Sequence, residues 1–178
     1  SQSRFDRLFA AGAKPFDLGV AQITVTPARS RSVDFSRPYM RVDQGVLLSE
    51  AVAPVPTSLA ALRRLRICAL AKTTGADVAR TVIAPVRPVR LDGNVPSLML
   101  DLQTGRCDAV VYDAPTLGTL KARAPRRYGP FAGVIATGER YALALPKGSP
   151  LLADIDRALA ALQADGTIDR LARRWLLF

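Results

Sequence analysis

Residues 66–91 read RICALAKTTGADVARTVIAPVRPVRL, and the fold class follows from this stretch. Its first apolar run predicts a strand, the spacing of its middle apolar residues predicts a helix, and its end predicts a second strand. The alternation continues to residue 124. The predicted elements are strands Arg66–Ala71, Val86–Leu91 and Cys107–Tyr112 and helices Gly75–Ala84, Val95–Gln103 and Pro115–Ala124. Such alternation is typical of βαβ units, so this section is predicted to form an α/β lobe with a parallel sheet.

The segments on either side of this section are predicted to form one further lobe together. The N-terminal segment contains a helix, the strand Phe16–Ile23 and a helical turn at Pro27. Two further strands, Gly133–Thr137 and Arg140–Leu145, are predicted after residue 124, and the C-terminal segment that follows them contains two amphipathic helices. Neither segment can bury its apolar faces alone, which is why the two are expected to share a lobe.

The resulting division predicts where a ligand binds. Lobe 1 comprises residues 1–44 and 142–178, and lobe 2 is inserted at residues 45–141. Two connecting strands would then leave a cleft between the lobes. Because ligands of open α/β sheets bind outside the carboxyl ends of the strands, we expect the loops after Ile23, Ala71 and Tyr112 to face this cleft.

The charge of the chain does not predict a nucleic-acid partner. Its 25 Lys and Arg against 15 Asp and Glu give a formal net charge of +10 over 178 residues. The arginines are scattered, and six Phe, four Tyr and one Trp are too few to interleave with them as base-stacking platforms. We therefore expect the arginines to lie on solvated helix faces.

Histidine is absent from the sequence, which removes the commonest general base and transition-metal ligand. Two cysteines, Cys68 and Cys107, lie too far apart in sequence for a CxxC motif, so neither a metal nor another cofactor is expected. The strands that carry them are predicted to be neighbours. Two buried thiols and one disulfide both remain open, since adjacent parallel strands seldom give the Cβ geometry of a disulfide. No run of 18 apolar residues predicts a membrane span, and the N-terminal residues do not read as a signal peptide.

Several motifs in series resemble one known family. FDLGVAQITVTPARSRSVDFSRPYM at residues 16–40 is similar to the strand, T-x-T-P-x-R turn and D-F-S-x-P-Y of the polar amino-acid solute-binding proteins. These are type II periplasmic binding proteins, related to the ligand-binding domain of ionotropic glutamate receptors. The stretches ICALAKTTGADVAR, LQTGRCDAVVYDAPT and LPKGSPLLADIDRALAALQADGTIDRLARRW follow in the family's order. The resemblance covers essentially the whole chain and implies a two-lobed clamshell.

The resemblance also implies residues for binding an amino-acid carboxylate. Arg29 would grip the carboxylate with its planar bidentate fork, and the hydroxyl of Thr24 can donate beside it. Thr73, before a predicted helix start, would complete the carboxylate site from lobe 2. The alternatives are a solvated loop arginine at Arg29 and an ordinary helix cap at Thr73.

Two further residues are candidates for reading other ligand groups. By resemblance Asp113 would accept from the ligand ammonium; the alternative is that it caps the helix that starts at Pro115. Gln22 could read a polar ligand group through its amide or pack against the interlobe strand. Asp108 opens the same strand as Asp113 and is expected to be structural.

The sequence departs from the family pattern in two places. Lys72 stands where relatives usually have glycine, and would either recognise an acidic ligand group or obstruct the usual pose. The family's first strand, helix and strand have no counterpart in the sequence, so lobe 1 is expected to be incomplete at its N-terminus. An incomplete lobe leaves an uncovered sheet edge, which predicts possible self-association.

The function implied is capture of an amino acid or similar small carboxylate outside the inner membrane, by lobe closure, for the permease of an ABC importer. The location would be periplasmic or extracytoplasmic. A sensory or accessory binding domain, a protein that no longer binds, and a cyclohexadienyl-dehydratase-like enzyme are the alternatives. The enzyme would need a general acid such as Asp113 or Glu139, and the residues favour a binding protein that is not an enzyme.

Overall fold

The computed structural model describes residues 5–176 and divides into two compact units. One unit contains the chain up to Val42 and Gly138–Arg174; the other contains Asp43–Thr137 and is joined by Trp175. The chain passes between the units inside two strands, after Val42 and again after Thr137. None of the helices in the described part of the chain combines the length and hydropathy that a membrane span needs.

The second unit is built on a four-stranded sheet in the order β3–β6–β4–β5. Its strands are β3 (Met40–Leu48, which enters from the first unit), β4 (Ile67–Leu70), β5 (Arg90–Asp92) and β6 (Ala109–Asp113). β4 runs parallel to both β5 and β6, while β3 runs antiparallel to β6. This confirms the predicted βαβ alternation, since parallel neighbours need a crossover helix.

The sheet of this unit buries both of its faces because successive side chains alternate. Val46, Ile67 and Val111 belong to one apolar cluster and Leu47, Cys68 and Val110 to another, all buried. The first cluster includes residues of α3 (Thr74–Val78), and the second includes residues of α4 (Val95–Gln103) and α5 (Ala114–Arg123). A short helix α2 (Leu59–Leu62) precedes β4. Burial on both faces explains why these strands read as continuous apolar runs.

The first unit is organised around the C-terminal part of one long strand, from Gly138 onward. β7 (Phe131–Leu145) pairs antiparallel with β1 (Gly19–Thr24) and with the short β2 (Asp34–Phe35). A 3-10 turn over Phe5–Phe9 and a helical turn α1 (Pro27–Ser30) flank β1. Helices α6 (Leu152–Ala164) and α7 (Thr167–Trp175) follow. Its core contains Leu8, Ile23, Val33 and Ala144.

Several predicted elements differ from the structure. The predicted strand Val86–Leu91 is confined to β5 at Arg90–Asp92, because Pro88 has no N–H to donate to a ladder. The predicted strands Gly133–Thr137 and Arg140–Leu145 form the single strand β7, which continues through Gly138 at φ +65°, a conformation that glycine adopts readily because it has no Cβ. The predicted helix Gly75–Ala84 is α3 followed by a π-helical turn over Ala79–Ile83, which the bond from the Ala84 N–H to the Ala79 carbonyl closes.

The two cysteines form a disulfide, with their Cα atoms 5.9 Å apart. The predicted neighbourhood of their strands is confirmed, since β4 and β6 pair directly. Cys107 was expected to begin the second strand, but β6 begins at Ala109. Cys68 pairs with Val110 in the ladder, so Cys107 is not its lateral neighbour on the adjacent parallel strand. The unfavourable Cβ geometry of such lateral pairs therefore does not apply to this disulfide.

Removing this disulfide should lower the free energy of unfolding. The bond closes a loop of sequence separation 39, for which chain entropy predicts about 3–4 kcal/mol. We expect a Cys68→Ser, Cys107→Ser double variant to lose that amount in urea unfolding monitored by circular dichroism. Thiol titration of the denatured, unreduced wild-type protein should find no reactive thiol; two titratable thiols would contradict the bond.

Asp108 holds the start of β6 to the start of β4. The Arg66 backbone N–H donates to its carboxylate at 2.8 Å, and the Arg66 guanidinium donates to both carboxylate oxygens. These hydrogen bonds lower the pKa of Asp108 below its ordinary 3.8, with Arg66 as the main cause. The structural role predicted for Asp108 is confirmed.

The lowered pKa predicts how this contact depends on pH. Because the folded pKa lies below the unfolded one, the stabilisation is complete above the unfolded value and is lost as pH falls through the folded value. Asp108→Asn should therefore cost about 1 kcal/mol in urea unfolding at pH 7, and progressively less as the pH falls below the ordinary carboxyl pKa of 3.8. Asp154→Asn, which removes the exposed pair with Arg157, is the control and should cost little at any of these pH values. A cost of Asp108→Asn that does not fall with decreasing pH would exclude the ion pair as its cause.

Candidate functional site

Arg29 is held in a fixed orientation on the first unit. The Thr26 hydroxyl caps α1 by accepting from the Arg29 N–H, so the turn that carries Arg29 is set by the T-P-x-R sequence itself. Its Nη1 donates to the Thr24 carbonyl at 2.8 Å, and its guanidinium carbon lies 4.9 and 5.0 Å from the ring centroids of Phe5 and Phe9. A guanidinium that donates a hydrogen bond and also lies over aromatic rings keeps its planar fork in one orientation. Arg29 is therefore an ordered, half-buried cation and not a freely solvated loop residue.

Thr24 lies beside Arg29 at the end of β1. It is 3% exposed, and its hydroxyl donates to a carboxylate oxygen of Glu139 at 2.9 Å. The ladder between β1 and β7 places Thr24 opposite Tyr141, which brings Glu139 within reach. The sequence interpretation named Glu139 only as a general acid of the enzyme alternative; its contact with Thr24 depends on the pairing register.

Gln22 occupies an irregular position in β1. The register shifts between Gly19 and Ile23, and Gln22 has φ +51° and an exposed side chain. A bulge of this kind redirects side chains relative to a regular strand.

On the second unit, a buried amide connects three elements next to Asp113. The Gln44 Nε2 donates to Asp113 at 2.9 Å and approaches the Thr74 hydroxyl at 3.4 Å. Gln44 is fully buried and Asp113 is 5% exposed. A Cβ on Gly75 would lie 2.7 Å from the Gln44 Oε1, so glycine is required for this close approach of α3.

Asp113 does not use its side chain as a helix cap. It stands at the position before α5, yet its carboxylate makes no capping bond there and accepts from Gln44. Burial, together with the Asp113 charge, raises the pKa of the neighbouring Tyr112 to about 12. The capping alternative for Asp113 is thus not the one that the structure adopts.

Thr73, in contrast, caps α3 as the alternative predicted. Its hydroxyl accepts from the Ala76 N–H at 3.3 Å and donates to the Leu70 carbonyl at 2.7 Å. Both bonds hold the loop between β4 and α3.

Lys72 precedes this cap with its backbone in the left-handed region, at φ +62°, and its side chain is exposed. This conformation costs an L-residue about 1 kcal/mol and explains on physical grounds why glycine suits the position.

The structure thus brings the candidate residues into separate groups on the two units. Arg29 and Thr24 adjoin each other on the first unit, and Thr73 and Lys72 adjoin each other on the second. Sequence reasoning missed Gln44 and the stacking of Arg29 on Phe5 and Phe9. The signal for Gln44 was an amide directly before the apolar run GVLL.

Two cavities of the first unit have none of the six candidate residues in their lining. One, of about 450 Å³, is lined by Lys14, Arg31 and Lys147 with their loops, and the other, of about 270 Å³, by Tyr39, Arg41 and Arg140 among others. Lys147 in the first is already paired with Asp34 at 2.8 Å.

One group of side chains in the second unit has metal-ligand chemistry. Ligand atoms of Cys68, Asp92 and Asp101 lie within 4.8 Å of one another. The Cys68 sulfur is bonded to Cys107, and Asp101 is paired with Arg90 and Arg106, so the group does not offer a free thiolate.

Comparison with known proteins identifies relatives of this arrangement. The model of the bacterial extracellular solute-binding proteins, family 3, matches residues 2–178. The L-arginine-binding protein of Pseudomonas aeruginosa is 30% identical over 188 residues, covering 99% of this chain and 71% of that protein. The ligand-binding core of GluR0 in complex with L-glutamate superposes with a TM-score of 0.78 at 25% identity, covering 90% of this chain and 72% of that one. An ancestral amino acid-binding protein, described as a precursor of cyclohexadienyl dehydratase, gives 0.75 at 28% identity, with 90% and 68% covered.

The backbone of Lys72 generates a prediction about stability. Lys72→Gly removes the left-handed cost but gives the unfolded chain more freedom, so the free energy of unfolding should change by less than about 0.5 kcal/mol. Lys72→Val, with a β-branched side chain, should lower it by about 1–2 kcal/mol. Urea unfolding of the two variants tests this; a valine variant as stable as the glycine variant would contradict the left-handed conformation.

Proposed function

Because the chain belongs to family 3 of the bacterial extracellular solute-binding proteins, we propose that its solute is an amino acid, delivered to the permease of an ABC importer. The proposal includes a periplasmic or otherwise extracytoplasmic location, as for the relatives. It rests above all on Arg29, a cation oriented by the Thr24 carbonyl and two phenylalanine rings. A fixed guanidinium fork is the group that best recognises a carboxylate.

Asp113, on the second unit, supports recognition of the ammonium of an amino-acid zwitterion. Asp113 is a buried carboxylate oriented by Gln44, and a carboxylate is the acceptor that an ammonium prefers. Thr73 and Lys72 would add to the carboxylate side, with Lys72 favouring a second anionic group or obstructing the pose. Gln22, exposed in its bulge, would contact a polar group of the ligand. Lobe closure and self-association remain predictions.

Two other functions remain candidates. A sensory or accessory binding domain would use the same residues, since fold and site do not separate the two uses. A dehydratase-like enzyme is favoured by one observation, the similarity to the precursor of cyclohexadienyl dehydratase. Turnover of prephenate by the purified protein would establish the enzyme, and its absence with amino-acid binding would support the importer.

Arg29 provides the direct test of the proposed function. Arg29→Ala would leave the ligand carboxylate unpaired at a cost of about 2–5 kcal/mol, a loss of roughly 30-fold to several thousand-fold in affinity. Arg29→Lys should recover only part of this, because an ammonium cannot form the bidentate fork. Calorimetry with L-arginine, L-glutamine and L-glutamate provides the measurement.

Arg64→Ala is the matched control, since Arg64 is an exposed arginine of the other unit. It should leave affinity unchanged. Unchanged affinity in Arg29→Ala would show that the carboxylate is bound elsewhere.

A further inference from the structure

Three loops of the first unit converge at the end of the β1–β7 ladder that lies away from Thr24. β1 begins at Gly19, which pairs with Ala144, and it ends at Thr24. β2 begins at Asp34, which pairs with Leu145, the last residue of β7. The loop before β1, the residues between α1 and β2, and the turn after β7 therefore lie together at one end of the ladder.

The cavity of about 450 Å³ is formed by these three loops. Its lining contains three cationic side chains, Lys14, Arg31 and Lys147, and none of the described residues that line it is acidic. The rest of the lining consists of residues 10–13, Ser32 and Pro146. Small-molecule sites typically enclose about 300–1,000 Å³, so the cavity has room for a small organic ligand.

Two of the three cations have contacts within the first unit. The Lys147 ammonium donates to the Asp34 carboxylate at 2.8 Å, and the Gly148 N–H donates to the same carboxylate at 2.8 Å. These bonds lower the pKa of Asp34 below its ordinary 3.8, with Lys147 as the main cause, so Asp34 is ionised at neutral pH. The Lys14 ammonium donates to the Ala10 carbonyl, a neutral acceptor in its own loop.

Arg31 brings a cation that the first unit does not neutralise. It is the residue that ends α1, and its exposed guanidinium has neither a hydrogen bond nor an ion pair within residues 5–176. The three cations of the cavity face a single paired carboxylate, that of Asp34, so the cavity carries an excess of two positive charges. A concave surface with charge of one sign concentrates ions of the opposite sign.

We propose that this cavity is a second binding site, separate from the candidate amino-acid site, and that its ligand is a small phosphate monoester. Such a group carries a charge of about −1.5 to −2 at pH 7 and three strong acceptor oxygens, which match the excess charge and the three cationic donors. Arg31 would contribute the bidentate fork, with Lys14 and Lys147 as point-charge donors beside it. The alanine side chains of residues 10–13 and Pro146 would contact the organic part. This inference does not depend on the proposed function.

The experiment is a titration of the ¹⁵N-labelled full chain, followed by the chemical shifts of its backbone amides. The probe is glucose 6-phosphate; glucose is the matched ligand without the phosphate, and succinate is a dianion without it. Arg31→Gln removes the unneutralised charge and should not disturb folding, because the Arg31 side chain makes no contact that holds the described structure. Arg41→Gln is the matched control, since Arg41 is an exposed arginine of the same unit that lines the other cavity.

We expect glucose 6-phosphate to shift the amides of residues 10–14, 31–32 and 147–148 saturably, and glucose to leave them unchanged. Arg31→Gln should raise the dissociation constant about tenfold or more, since it removes charge-assisted hydrogen bonds. Lys14→Gln should raise it about threefold or more, and Arg41→Gln should change it by less than twofold. Higher salt should weaken binding, because the site is solvent-accessible.

Four outcomes would overturn the proposal. The first is that glucose 6-phosphate causes no saturable shift of these amides in the wild-type chain. The second is that Arg31→Gln and Arg41→Gln weaken binding equally, because the anion would then respond only to the overall positive charge. Equal shifts with glucose would show that the phosphate is not recognised, and tighter binding of succinate would show that the site selects a dicarboxylate. None of these outcomes bears on amino-acid binding, which the Arg29 variants test.

Discussion

The antiparallel ladder between Gly19–Thr24 and Phe131–Leu145 is the constraint on which the candidate chemistry of the first unit depends. Residues far apart in sequence meet only through its register, which sets Thr24 opposite Tyr141 and brings Glu139 to the Thr24 hydroxyl. The carbonyl of Thr24 then orients Arg29. A shift of one residue would turn each of these side chains to the opposite face of the sheet. The two polar groups of Thr24 therefore face opposite charges, the Arg29 guanidinium at its carbonyl and the Glu139 carboxylate at its hydroxyl.

In the second unit a buried amide orients the candidate carboxylate. A carboxylate at the end of a parallel strand needs an oriented donor if it is to remain buried, and Gln44 supplies one from the neighbouring strand β3. The same amide approaches α3, where only a glycine at position 75 leaves enough room. The disulfide between Cys68 and Cys107 and the pair of Arg66 with Asp108 both hold the amino-terminal ends of β4 and β6 together, whereas Asp113 lies at the carboxyl end of β6. β6 is therefore restrained at its start by these two contacts and at its end by the hydrogen bond from Gln44 to Asp113.

Much of the fold could be predicted because local signals and tertiary packing agree. Helix Val95–Gln103 matches its prediction in both bounds, since Asn94 caps it and the chain turns at Thr104 and Gly105. The prediction was wrong for β7, where two separate strands were expected and one strand continues through Gly138. It was also wrong for the end of helix Gly75–Ala84, where neither glycine nor proline predicts the π turn. In both places the backbone follows the hydrogen bonds of its neighbours, which local sequence does not encode.

The sequence by itself determined the alternation of strands and helices, the family, and the residue types of the candidate site. Apolar periodicity and the series of motifs carry that information locally. Only the tertiary structure decided that Cys68 and Cys107 are bonded, that Asp113 accepts from Gln44, and that the Thr24 hydroxyl donates to Glu139. The physical reason is that a side chain's type lists the hydrogen bonds it can make, whereas strand register and distance decide which of them it makes.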